Sequence, residues 1–368
     1  MKRYGHLWEQ ICSMENLKLA HKHARKGKGW YQQVKEVDAD PEHYLTILRD
    51  MLINHTFKTS KYSTFYKREG GKVRKIYKLP YFPDRIAQWA VLQVIEPIIM
   101  KNLIANTYSA IPKRGIHRAL KDLHEAVQND VPETMYCLKF DVRHYYQSID
   151  HEILKAQYRR LFKDQELLWA LDEIIDSIDT ADAEDLIRLD AHTDEHKGIP
   201  IGNYHSQYGG NLYLSLFDHW IKETKRVKYY YRYMDDVVIF AKTKEELHAL
   251  KREIDVYLWE NLKLTLKKNW QVFPTFVRGV DFVGYRTFLG FTLLRKSTCL
   301  EMKAKMIKLR EKVERGEDMN YSEWCSANSY HGWLVHCDSY RLQEKYIEPL
   351  RPHCDHYYKT YIKTRKAA

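Results

Sequence analysis

The sequence predicts an α+β fold in which strands and helices alternate around one sheet with an acidic centre, followed by a helical C-terminal module. Three observations lead there. Residues 135–142, MYCLKFDV, are an apolar run delivering an aspartate near its end, the signature of a buried strand. Residues 227–241 read as two strands, VKYYYRY and VVIFA, joined by a tight turn at Met234-Asp235. From about residue 302 to the end the pattern is helical and basic.

The remaining elements follow in order. Leu7, Trp8 and Ile11 recur at helical spacing, as do Tyr44, Leu45, Leu48, Leu52 and Ile53 after Asp40-Pro41, so the first 60 residues read as helical. Between these stretches HKHARKGKGW, residues 21–30, is basic and punctuated by glycine, which predicts a loop. Residues 58–78 hold eight Lys or Arg against one acid, Glu69. There the Gly70-Gly71 pair separates STFYKRE from KVRKIYKL, the pattern of a basic β-hairpin. Residues 83–102 predict a helix that starts at Pro83-Asp84 and breaks late, at Pro97. Helical patterns cover 151–178, and residues 172–195 are rich in Asp and Glu, which predicts an exposed acidic insertion. A helix follows GIPIGN near residue 198, and residues 244–260 form an amphipathic helix with Leu247, Leu250, Ile254 and Leu258 on one stripe. Residues 276–294 read as further strand.

Composition bounds the functional classes. The 368 residues carry a formal net charge of +11, a balance that favours polyanionic partners such as nucleic acid. The 28 Tyr offer flat faces for packing or for stacking on bases. The six cysteines include no Cys-x-x-Cys pair, so they are expected as free thiols in a reducing compartment. The N-terminus MKRYGHLWEQ has no apolar signal region, and no window approaches a membrane span, so a cytoplasmic protein is expected.

The chemistry-bearing residues are carboxylates. In YRYMDDVVIF, two adjacent aspartates sit at a turn between apolar strands, where like charges are costly unless a cation holds them. In KFDVRHYYQSID, a buried strand delivers Asp141. Three carboxylates on adjacent strands of one sheet can hold two Mg²⁺ ions, one for an attacking 3′ hydroxyl and one for a leaving pyrophosphate.

Across residues 55–350 the chain resembles the reverse transcriptases. The motifs, in order, are KVRKIYKLPYFPDRIAQWAVLQVIEPI, NTYSAIPKRGIHRAL, KFDVRHYYQSIDHEIL, GIPIGNYHSQ, YMDD, NLKLTLKKNW and VDFVGY. The resemblance implies a right-hand polymerase. Residues 1–130 would be an N-terminal helical extension and fingers. Residues 131–294 would be a palm with an interleaved fingers segment and the acidic insertion at about 172–195. Residues 295–368 would be a helical thumb and a basic tail ending around Lys359, Lys363, Arg365 and Lys366.

The resemblance also implies roles. Asp141, Asp235 and Asp236 would be catalytic, holding Mg²⁺, or Mn²⁺ in its place, with Val142 beside them. Tyr146 would be a steric gate against a ribose 2′-hydroxyl, and Lys72, Arg74 and Lys75 would contact the incoming dNTP. Lys267 or Lys268 would protonate the leaving pyrophosphate. Phe282, Gly284 and Tyr285 would belong to the primer grip. Ile201, Gly202, Ser206 and Gln207 match the motif usually written Gln-Gly-x-x-x-Ser-Pro, but Ile stands for Gln and Gln for Pro. That form is similar to the reverse transcriptases of diversity-generating retroelements, compact enzymes that copy a template RNA with errors at adenines in mutagenic retrohoming. Such enzymes imply a structured template RNA, a primer or cDNA strand, and an accessory multimeric helical barrel protein as partners, in a bacterial, archaeal or phage-encoded setting. If that accessory protein is basic, the acidic insertion is a candidate docking surface. Still open are a retron, group II intron-like or defence-type enzyme without the diversifying role, and a non-catalytic RNA-binding protein on a polymerase fold.

Overall fold

A computed structural model describes residues 3–69, 72–180 and 196–363. The Gly70-Gly71 turn, residues 181–195 of the acidic stretch, and tail residues Arg365 and Lys366 lie outside the described residues.

The N-terminal region forms helices Trp8–Cys12, Met14–Ala24, Gln32–Ala39 and Pro41–Ile53. Asp40 caps the last of these, its carboxylate accepting from the His43 amide at 3.2 Å with Pro41 in the first turn. The apolar stripes close around Leu17, Leu45, Leu48 and Leu52, together with Ile86 and Ala90. The basic loop expected over 21–30 begins only at Arg25, because residues 21–24 complete a helix. His21 is drawn inside, its Nδ1 2.8 Å from the Tyr81 hydroxyl, and burial lowers its pKa, while the cationic Lys22 suits the last turn of the helix.

The basic hairpin forms as expected. Strands β1, Ser63–Glu69, and β2, Lys72–Lys78, pair antiparallel with Ser63 opposite Lys78. The helix expected over 83–102 spans Ile86–Asn102 and runs through Pro97 without a break. It is preceded by a wide turn, Tyr81–Arg85. Proline inside a helix costs about 3 kcal/mol. Burial of Val94, Ile95, Ile98 and Ile99 around it outweighs that.

The main sheet contains β3, Tyr136–Asp141; β4, Tyr230–Tyr233; β5, Asp236–Ala241; and β6, Gln271–Pro274, in the order β4-β5-β3-β6. The two inner strands are the apolar runs of the sequence, with Cys137, Leu138 and Phe140 of β3 and Val237 to Phe240 of β5 all buried. A second antiparallel sheet, β7-β8-β9, uses Val280–Phe282, Tyr285–Thr287 and Thr292–Leu294. The strand expected from 276 starts four residues later, because Thr275–Arg278 is a helical turn. The C-terminal region is helical from Lys296, with Asn320 and Glu323 forming a capping box at the start of Tyr321–Leu334. The chain divides into two compact units: Met1–Pro112, Phe140–Val237 and Ala249–Trp270 form the first, and Lys113–Lys139, Val238–His248 and Gln271–Ala368 the second.

One buried ion pair organises the turn of the β4–β5 hairpin. Arg232 and Asp218 are both 0% exposed. Arg232 Nε donates to Asp218 Oδ1 at 2.7 Å and Nη2 to Oδ2 at 2.6 Å. The remaining donors reach Asn211 Oδ1 at 3.3 Å, Asn211 O at 3.2 Å and the Met234 carbonyl at 3.0 Å. Asp218 also accepts from the Tyr230 and Thr107 hydroxyls. Burial disfavours the guanidinium charge, but Asp218 more than offsets it and holds Arg232 protonated. A buried pair is tolerable only when its hydrogen-bonding capacity is met this fully.

Removing one partner leaves an uncompensated charge. Arg232→Met is expected to lose about 3–5 kcal/mol of stability in urea denaturation, and Arg232→Met with Asp218→Leu to recover most of it. A single-variant loss below about 1 kcal/mol, the scale of a surface pair, would contradict this.

Candidate active site

The site is built where β3 ends and the β4–β5 hairpin turns. Val142 donates its amide to the Asp235 carbonyl at 3.2 Å, and Arg143 donates to Thr265 O at 2.8 Å. The Lys267 amide donates to the Asp141 carbonyl at 2.9 Å, and Val142 bridges Leu266 antiparallel. These backbone bonds draw three distant stretches of chain together. Met234 takes φ 56°, a left-handed conformation that is uncommon for a side chain of its size. The Arg232 guanidinium on the Met234 carbonyl fixes this turn.

The side chains then converge. Lys267 Nζ lies 3.3 Å from Asp141 Oδ1 and 3.8 Å from Asp235 Oδ2. Burial raises the pKa of Asp235, Lys267 opposes that rise, and the charge on Asp141 adds to it. Asp236 opens β5, where successive side chains turn to opposite faces. Among the described residues, no three His, Cys, Asp or Glu side chains form a ready metal cluster. The donor set still fits Mg²⁺, which binds through one or two carboxylates and otherwise takes water and substrate phosphate oxygens. Two carboxylates already share a cation here, in the form of the Lys267 ammonium.

Asp235 and Asp236 line a cavity of about 1270 Å³, together with Arg74, Tyr146, Ile201, Gln207 and Lys267, and Asp141 is tied to its wall through Lys267. Lys268 lines it too, but Lys267 is the lysine placed against the carboxylates. Burial and the charge of Asp235 raise the pKa of Tyr146, so its phenol stays neutral. Lys75 does not line this cavity; its ammonium sits 5.4 Å from the Tyr77 ring centroid. The Lys72 side chain lies outside the described residues.

The Ile201–Gln207 segment is stitched to the basic hairpin. Tyr77 donates its amide to the Ile201 carbonyl at 2.9 Å. Gly202 has φ +118°, and a Cβ there would lie 2.7 Å from Tyr77 O, so only glycine fits. Ser206 is buried in the helix Tyr204–Tyr213, while Gln207 is exposed.

Phe282, Gly284 and Tyr285 belong to the second compact unit. Phe282 and Tyr285 are buried, and Tyr285 donates its hydroxyl to Trp333 O at 2.9 Å. Gly284, at φ +89°, leaves room for the Trp333 ring, which a Cβ would meet at 2.2 Å. These side chains pack the hairpin onto the helix Tyr321–Leu334. The acidic stretch is partly neutralised where it is described: Asp172 pairs with Arg159 at 2.5 Å and Asp176 with Lys155 at 2.6 Å. No disulfide joins the six cysteines, all of them among the described residues, and burial pushes Cys12 up to about 12 and Cys337 up to about 11. The sequence reading missed Arg232, Asp218 and Asn211. The available signal was a charged residue inside each of two apolar runs, YYYRYM and LYLSLFDHW.

The family model for reverse transcriptase, RNA-dependent DNA polymerase, matches residues 66–292. This chain belongs to that family. Protein YkfC of Escherichia coli strain K12 is 25% identical over 279 residues, covering 66% of this chain and 70% of that protein. Among solved structures, apo telomerase from Candida tropicalis aligns at 12% identity and a TM-score of 0.49, covering 84% of this chain and 59% of that one. Telomerase from Candida albicans in complex with a TWJ fragment of telomeric RNA aligns at 11% identity and a TM-score of 0.47, covering 72% of this chain and 55% of that one. The chain thus spans little more than half the length of these telomerase chains. Among the described residues no helix is long and apolar enough to cross a membrane.

A histidine inside the Ile201–Gln207 segment yields a pH test. His205 is 2% exposed, with Nε2 2.9 Å from the Tyr158 hydroxyl, and burial lowers its pKa to about 4. The unfolded chain takes up this proton near pH 6.5, whereas the folded chain resists it. Its contribution is therefore present above pH 6.5 and is lost as pH falls towards 4. Between pH 6.5 and 5 the wild type is expected to lose about 2 kcal/mol more than His205→Asn in urea denaturation. Parallel losses in the two proteins would contradict the assignment.

Proposed function

We propose that this chain is the error-prone reverse transcriptase of a diversity-generating retroelement, copying a template RNA into adenine-mutagenised cDNA. The observation that carries the polymerase chemistry is the convergence of Asp141, at the end of β3, and Asp235, in the β4–β5 turn, on one cationic point beside a large cavity. Asp141 and Asp235 would hold the divalent ions, with Asp236 and Val142 beside them. Magnesium, when bound, lowers the cost of charge on the attacking hydroxyl and on the departing phosphate.

The primer 3′ oxygen forms a bond to the α-phosphorus of a dNTP, the bond to the β-phosphate oxygen breaks, and pyrophosphate leaves. Lys267 is the group in reach to give that leaving oxygen a proton. Arg74, with Lys72 two residues before it on the same strand, supplies charge-assisted hydrogen bonds to the triphosphate, and Lys75, turned to Tyr77, is not part of that set. The Tyr146 ring occupies space that a ribose 2′-hydroxyl would need, which selects dNTPs. Ile201 presents an apolar side chain where a Gln would hydrogen-bond the nascent pair, and losing a geometry-sensitive contact narrows discrimination between right and wrong nucleotides. The accessory helical barrel protein and the element's own structured RNA complete the working assembly.

Primer extension on an RNA template with Mg²⁺ and dNTPs, followed by product sequencing, tests both levels. Asp235→Asn is expected to reduce extension by on the order of 10³-fold; activity within about tenfold of wild type would remove Asp235 from the chemistry. Wild-type errors are expected opposite template adenines. Ile201→Gln is expected to reduce them about tenfold, the equivalent of ~1.4 kcal/mol. Accurate wild-type products would keep the polymerase and discard the diversifying role.

A further inference from the structure

We propose that His151 is a positioning residue for nucleotide selection: its buried ring clasps residues 196–199 to the stretch of chain that carries Tyr146, and so fixes where Tyr146 stands in the cavity wall. This rests on the polymerase reading, in which Tyr146 excludes a ribose 2′-hydroxyl. His151 is not among the residues lining that cavity and acts through Tyr146.

His151 opens the helix His151–Leu161, and its side chain is 1% exposed. Its amide donates to the His196 carbonyl at 3.1 Å, and Nε2 lies 3.0 Å from the Gly198 carbonyl oxygen. A carbonyl oxygen only accepts, so Nε2 carries the proton of that bond. The backbone zips further around this clasp. Gly198 donates its amide to the Ile149 carbonyl at 2.8 Å, and Ile199 donates to the Tyr146 carbonyl at 2.9 Å. Asp150 and Lys197 form an antiparallel bridge within the same run. Residues 146–151 and 196–199 are thus joined by a short ladder, and the His151 ring adds a side-chain bond to it.

The ring is held from its other side as well. Nδ1 faces Asp176 Oδ1 at 3.3 Å and Asp179 Oδ1 at 3.8 Å. Asp176 ends the helix Gln165–Ile175 and is itself paired with Lys155 at 2.6 Å. An apolar ring of the same size would fill this space without desolvating two nitrogens. What the imidazole alone supplies is a directed bond to the Gly198 carbonyl, which sets residues 196–199 against 146–151. The effect reaches the cavity in two short steps. Ile199 is 1% exposed; its amide holds the Tyr146 carbonyl, and its own carbonyl accepts from the Thr180 hydroxyl at 3.4 Å. Pro200, with its fixed φ, then links Ile199 to Ile201, so a shift of one is passed to the other. Tyr146 and Ile201 both line the cavity with Asp235. A steric gate discriminates by the space it occupies, so slack in its backbone anchor weakens discrimination before it weakens turnover.

The test pairs two measurements on the full chain. The first is single-nucleotide primer extension, comparing kcat/KM for a dNTP with that for the matching rNTP. His151→Phe keeps the bulk of the ring and removes the donor. It is expected to lower the dNTP-over-rNTP ratio by on the order of tenfold, while dNTP turnover changes less than about threefold. His151→Gln, whose Nε2 can reach the same carbonyl, is expected to restore most of the ratio, which a merely destabilised protein would not do. The second measurement, made without substrate, is amide hydrogen exchange across residues 196–201. His151→Phe is expected to speed exchange of the Gly198 and Ile199 amides by about tenfold or more. Asp176→Ala, at a half-exposed position, is expected to move both readouts the same way by less, and serves if His151→Phe does not fold. Unchanged exchange in the folded variants overturns the proposal, as does an unchanged ratio in His151→Phe where Tyr146→Ala lowers it. A ratio that Tyr146→Ala leaves unchanged overturns the gate reading instead, and the exchange measurement then supports or refutes the clasp by itself.

Discussion

The buried pair between Arg232 and Asp218 is the interaction on which the active-site geometry depends. Asp235 has to stand at the tip of a two-residue turn, and Met234 has to adopt a left-handed backbone to put it there. Neither conformation is favoured by the local sequence. The guanidinium supplies the compensation by donating to the Met234 carbonyl while Asp218 and Asn211 hold its other donors. Two charges sealed from water are an expensive way to fix a turn. Their directional bonds give a defined geometry that apolar packing would not impose.

A second electrostatic balance operates beside the cavity that Asp235 lines. Asp141 and Asp235 repel one another, and the partly buried Asp235 carboxylate feels that repulsion in a medium that screens it poorly. Lys267 stands between them as a mobile cation on a flexible stem. Positive charge on the β1–β2 hairpin and in the Lys26–Lys28 segment extends the attraction for polyanions outward.

The stitching of Ile201 and Gly202 to Tyr77 matters for the same reason. It couples the Ile201–Gln207 segment, on the same cavity wall as Asp235, to the strand that carries Arg74. Where Gly202 crowds Tyr77 O, any side chain would push the two apart. The departure of this segment from the motif therefore sits in a turn tied to Tyr77, with Ile201 on the cavity wall and Gln207 in the helix that follows.

The elements with strong period were legible in the sequence: the apolar strand ending on Asp141, the hairpin at Met234-Asp235, the basic hairpin and the amphipathic helix over 244–260. Each is dictated by local hydrophobic spacing, which one stretch of chain carries alone. The helix through Pro97, the shortened basic loop and the helical turn at Thr275–Arg278 were not legible, because burial against distant residues overrode local propensity. The candidate carboxylates were identifiable by residue type and motif. Which lysine meets them, which fingers cation faces the cavity, and why Arg232 and Asp218 lie inside apolar runs were decided by tertiary structure. Those answers depend on distances between residues far apart in the chain, and a linear sequence carries no distances.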